Sequence, residues 1–182
     1  LTHYEPPTMP FVAAKLQGGK QTPTAIILRP SHTRSFDGAA LAVAQRWHQA
    51  PSFWNAGHYT VDESKRYRCV PDDVVAGDNN SDKHAIRIAM CAEPVGGSRF
   101  WDEDHHRHVL RKTAELVAEL SLVYKIPVDY LNEEYGGDKT YAKWQKRRTR
   151  RRGGIYVVET SGFPFQAFIN EVDAKRDLKK HI

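Results

Sequence analysis

The run AIILRPSHTRS (residues 25–35) ends in a turn carrying Arg29, Ser31, His32 and Arg34, a set of cations, hydroxyl and imidazole able to bind an anion, hold a metal or relay a proton. His32 is the metal-competent member. With His58 and Glu159 it makes a His/His/carboxylate set of the kind that leaves a zinc ion one open position for water. The plainer reading makes His32 a polar turn residue, His58 a core-facing histidine satisfied by a hydrogen bond, and Glu159 a strand-end charge. It needs no shift of strand register, whereas the metal set needs one at two places. Ser31 and Ser161 have no base and orienting acid at recognisable spacing, so no nucleophile constellation is expected.

Four other stretches carry reactive side chains. DEDHHRH (102–108) holds three histidines and three carboxylates where an amphipathic helix begins, and there acidic groups complement the helix dipole. His105 and His108, at i,i+3, offer no more than adventitious metal contact. KRRTRRR (146–152) puts Arg147, Arg148, Arg150, Arg151 and Arg152 in position for polyanion contact, against the blander account of a solvated loop. Trp144 alone is too little aromatic surface for stacking on single strands. Asn79 and Asn80 of NNSDKH, and FWNAGHY (53–59), are equally suited to lining a glycan or peptide groove and to plain turn and core packing.

The elements that must position these groups follow from periodicity. TAIILR (24–29), between Pro23 and Pro30, suits a buried central strand. Asp37 is placed to cap a helix through residues 38–50, with Leu41, Ala44 and Trp47 on one face. GHYTVD (57–62) and RYRCVP (66–71) alternate around ESK as a hairpin. Residues 73–84 are mostly turn chemistry, and AIRIAMCA (85–92) is a further strand. The strongest helix covers 103–125, where apolar residues from Val109 to Tyr124 recur at three- and four-residue steps and Pro127 closes the run. A short helix at 140–148, a strand at 155–159 and a final helix from 163 with Phe165, Phe168, Ile169 and Val172 inward complete the order. It predicts an α/β fold with a mixed central β-sheet flanked by helices. The expected organisation is an extended N-terminal arm (1–23), one domain (24–175) and a basic C-terminal tail (176–182).

At 182 residues and 40% hydrophobic content, one sizeable core is the default. The net charge of +5 favours polyanionic partners, although much of it sits in KWQKRRTRRR (143–152). Cys69 and Cys91 lie in apolar strands and read as buried thiols without a disulfide framework. No stretch approaches the roughly 18 apolar residues of a membrane span, and LTHYEPPTMP lacks a basic region followed by an apolar one. A soluble chain with no export signal and no membrane partner is expected.

Several strings, in order, resemble the zinc-dependent N-acetylmuramoyl-L-alanine amidase family, whose fold is shared by phage endolysins and peptidoglycan-recognition proteins. They are AIILRPSHT with the helix ending QRWH, NAGHYTVDESKRYRCVPDDVVA, NNSDKHAIRIAM, and GGIYVVETSGFPFQAFINEV, together covering about residues 20–175. The resemblance implies a zinc ion held by a histidine ending the first strand, a second in a G-I-x-x-H strand, and a third ligand soon after. Here the first position is Arg29, the second is Val158, and the loop ETSGFP contains neither His nor Cys. A guanidinium keeps its proton and has no lone pair to give. The positions of the family's proton-handling tyrosine and glutamate match Gly57 and Ala89. The implied function is a catalytically degenerate domain with its zinc site lost and no resident cofactor. It would serve as a cell-wall-binding module or a structural phage virion component, with peptidoglycan or other virion proteins as partners and room for higher-order assembly. Two alternatives stand beside it: an active zinc amidase with atypical ligands, and a basic protein contacting nucleic acid.

Overall fold

The computed structural model of the chain describes residues 3–31, 37–49, 56–77, 83–92, 103–128, 130–131, 154–157 and 163–181. At its centre lie β2 (Ala25–Pro30) and β6 (Ala85–Met90), buried at every position. Such unbroken burial belongs to strands covered on both faces, which is why their sequences run apolar instead of alternating. They pair in parallel within a six-stranded sheet of order β4-β3-β6-β2-β8-β7, where β3 is Tyr59–Val61, β4 Arg66–Arg68, β7 Tyr130–Leu131 and β8 Gly154–Val157. Only β4 runs antiparallel, as the return arm of the expected hairpin. The result is the expected mixed sheet flanked by helices.

One face is covered by α1 (Ala39–Gln49), whose buried stripe is Ala40, Val43, Ala44 and Trp47. Leu41, expected inward, is only half-buried, because the i, i+3, i+4, i+7 set already fills the contact. The other face carries α2 (Asp104–Val123) and α3 (Phe165–Lys180). There Leu116, Val117, Leu120, Phe168 and Val172 pack on Ile26, Leu28, Ile86 and Ile88. No described helix is long and apolar enough to cross a membrane.

Two expectations need correction, the turn at 73–84 and the cap at Asp37. Within residues 1–23, β1 (Gln17–Lys20) pairs antiparallel with β5 (Val74–Ala76), which lies inside the stretch expected as turn. Both strands are too short to show a period, and Gly18-Gly19 hides the first. Helix α3 continues to Lys180, and its Lys179 pairs with Glu119 at 3.1 Å. Asp37 does not cap α1. Its carboxylate accepts from Ser64 Oγ at 2.7 Å, while Asp62 Oδ2, fully buried, accepts the Ala40 N–H at 3.1 Å. The helix expected at 140–148 lies outside the described residues.

Candidate functional site

In a sheet of parallel strands the backbone runs out at the carboxyl ends, and the loops beyond them gather side chains from several strands over one crevice. Here those ends are Arg29–Pro30 of β2, Met90 of β6 and Val157 of β8. Register sets the row across them: Thr60 lies opposite Ala89, and Ala89 opposite Arg29. The row faces α1, because Thr60 Oγ1 donates to Ala40 O at 2.9 Å and Ala89 packs in the α1 cluster. Two guanidiniums occupy this face, Arg29 at 8% and Arg87 at 3% exposure, on neighbouring strands and two residues apart in register. Neither is without a partner. Arg87 Nη1 donates to Ala76 O at 3.4 Å. A buried guanidinium is tolerated only with hydrogen bonds to spread its charge, so this row presents fixed donors and fixed positive charge.

His58 ends up in the core. It is fully buried; Nδ1 accepts the Arg87 N–H at 2.9 Å, which puts the proton on Nε2, and Nε2 donates to Val74 O at 2.7 Å. Burial lowers its pKa to about 4, against a smaller opposing pull from the Val74 carbonyl. With both nitrogens spent and the ring sealed, His58 is the satisfied core histidine and not a groove residue. Gln21 locks the same spot: its amide nitrogen donates to Asp72 O and Ala85 O at 3.0 and 3.1 Å, and its Oε1 accepts the His84 N–H at 2.9 Å.

Gly57 is also explained by packing. A Cβ there would stand 3.0 Å from Arg87 O and 3.2 Å from Trp47 Cη2, and His58 N already donates to that carbonyl at 2.8 Å. A side chain at this position would press on the Arg87 carbonyl, which would have to give by a few tenths of an ångström. Cys69 and Cys91 are free and buried, and burial pushes both thiols up to about 12, so neither is a nucleophile at ordinary pH.

On the α2 face polar groups pair across elements. Asp72 accepts from Tyr59 and Tyr124 hydroxyls, each at 2.6 Å, and Arg68 donates to the Tyr59 oxygen at 2.9 Å. Burial and the adjoining Asp72 push both phenols well above their ordinary value. A cleft of about 480 Å³ between the N-terminal residues 3–8, Arg66, Glu119 and Lys179 has the Arg66–Glu119 pair at 2.9 Å along its wall. At the start of α2, His105 meets Glu103 and His106 instead of its expected partner His108. The adjacent HH pair was the only signal in the sequence for that contact.

His32, Asn79, Asn80, Val158, Glu159 and the arginines Arg147, Arg148, Arg150, Arg151 and Arg152 lie outside the described residues. Of the site positions read from the sequence, the structure therefore brings together Arg29 and Ala89, while His58 and Gly57 pack against Arg87.

No protein-family model matches the chain, and no curated protein matches it in sequence. Solved structures do. The Staphylococcus aureus hydrolase AmiA, in complex with its ligand, has a TM-score of 0.59 and 11% identity over 97% of this chain and 87% of that one. The catalytic domain of XlyA gives 0.55 and 17% over 90% and 97%. A mutant endolysin from Bacillus subtilis gives 0.56 and 16% over 88% and 92%. At such identities the likeness shows the fold: the chain has the amidase-like α/β fold of these domains.

Proposed function

We propose that the chain is a catalytically degenerate amidase-like domain that binds cell-wall polymer without hydrolysing it, as a free module or built into a phage particle. Arg29 carries this reading. It ends β2, where the resemblance calls for a zinc-binding imidazole, and stands in register with Ala89, where it calls for a carboxylate. A divalent ion beside a fixed guanidinium meets repulsion and no lone pair. The donor set among the described residues does not fit zinc at this place. The crowding at Gly57 supports the same conclusion for proton transfer. What the strand ends offer is donors and positive charge, which suit the carboxylates and amides of wall peptides and the phosphates of anionic wall polymers.

The test adds zinc-supplemented protein to purified bacterial cell walls, following turbidity and then sedimenting the walls. Constant turbidity with the protein in the pellet is expected. Clearing that disappears on His32→Ala would establish an active amidase with atypical ligands, and protein left in the supernatant would remove the wall as partner.

A further inference from the structure

We infer that Glu103, His105 and His106, at the first turn of α2, form a binding site for a zinc-class divalent transition metal, separate from the strand-end row. Among the described residues this is the one place where three such groups converge, with ligand atoms all within 4.8 Å of one another. Glu103 Oε2 is 3.5 Å from His105 Nε2 and 3.5 Å from His106 Nδ1. A tetrahedral ion with bonds of about 2.1 Å holds its ligands about 3.4 Å apart, so both edges already have the right length. Only the edge between the imidazoles must close, and their centroids stand 4.1 Å apart.

The carboxylate is available for this work. Glu103 occupies the N-cap position of α2, yet its side chain makes no capping hydrogen bond and turns toward the two rings instead. The three groups also divide the tasks of a binding site. His106, at 6% side-chain exposure, is held by the core and fixes one ligand. His105 and Glu103, at 43% and 57%, leave the metal an entry path and a fourth position for water. The helix dipole disfavours a cation here, and the Glu103 charge opposes that effect, whereas Asp104 in the first turn is paired with Arg107. Two imidazoles and one carboxylate select Zn²⁺, Ni²⁺, Co²⁺ or Cu²⁺ over Mg²⁺ and Ca²⁺, which prefer all-oxygen shells.

The experiment is calorimetric titration of the chelator-treated full chain with Zn²⁺ at about pH 7.5, since a metal binds imidazole in its neutral form. Visible absorption of the Co²⁺ form is recorded alongside. One ion per chain is expected, with tetrahedral Co²⁺ bands and no competition from excess Mg²⁺. Glu103→Gln and His105→Gln, both at exposed side chains, should each weaken binding by about tenfold or more without changing the far-ultraviolet circular dichroism. Absence of uptake would reduce the cluster to an ion pair and overturn the site, as would uptake indifferent to both variants. Zinc released by His32→Ala instead of His105→Gln would belong to the strand ends, overturning the degenerate reading along with this one.

Discussion

At the scale of single residues, His58 shows how burial decides charge. Its folded pKa near 4 lies below the roughly 6.5 of an unfolded chain, so between those values the unfolded state takes up the proton more readily. The stabilisation is therefore complete above about pH 6.5 and is lost as pH falls toward 4, with a magnitude of about 3 kcal/mol. His58→Asn keeps an acceptor for the Arg87 N–H, loses the donor to Val74, and does not titrate. At neutral pH it should be less stable than the parent by about 1–3 kcal/mol. Urea midpoints taken from pH 7 down to about 4 should show the gap closing, because only the parent loses stability by this route. A gap that stays constant with pH would mean that His58 is not held neutral. From the sequence, FWNAGHY suited a groove and plain packing equally, and the plainer reading of His58 was a core-facing histidine satisfied by a hydrogen bond; its partners, Arg87 and Val74, were not legible because they come from other strands.

At the scale of elements, two aspartates tie the hairpin to the helices. Asp62 joins the β3–β4 turn to the first turn of α1, accepting the Ala40 N–H as well as the backbone N–H groups of Ser64 and Lys65. Asp72, just beyond β4, ties β3 through Tyr59 to the carboxyl end of α2 through Tyr124. The two hydroxyls share one carboxylate, so removing either leaves the other to solvate it, while removing both leaves Arg68, 3.6 Å away, as its remaining charged neighbour. Tyr59→Phe and Tyr124→Phe should each cost about 1–2 kcal/mol, and the double variant should exceed their sum by about 0.5 kcal/mol or more. A double-mutant cycle on thermal unfolding measures this coupling, and strict additivity would dissolve the idea of a shared clamp. The elements themselves were largely legible: β2 and β6 announce themselves by mainly apolar runs and α2 by a long 3.6-residue period. The ties between them were not. Asp37 sits at the right local spacing to cap α1, yet the bond is made by Asp62, which reaches the helix only because the sheet brings it there. The same limit applies at the candidate site, where the resemblance marked Arg29 and Ala89 one at a time and the register placed them side by side.

At the scale of the whole molecule, the sheet must protect its edges, and β4 is one of them. Its outer side would present bare N–H and C=O groups to any passing strand. The N-terminal segment covers it: Val12 N donates to Arg68 O, Arg68 N to Pro10 O and Ala14 N to Cys69 O, while Lys15 N ties the segment to Trp47 O of α1, all between 2.8 and 3.0 Å. Arg68 Nη2 adds a bond to Pro7 O, and Met9 and Val12 pack against the two cores. A segment that reads as a Pro-rich arm is in this sense the outer border of the sheet, and its prolines fit because an edge needs donors on one side only. A chain beginning at Gln17 gives up those four backbone bonds, at about 1 kcal/mol each, together with the apolar contacts. Its unfolding temperature should fall by about 10 °C, given about 2–4 °C per kcal/mol for a chain of this size. The bared edge should also associate with other copies, so light scattering should show a mass that rises with concentration, while the full chain does not change. A truncated chain that melts where the parent does and stays monodisperse would show that β4 needs no cover, and that the N-terminal residues serve the ligand face or a partner instead.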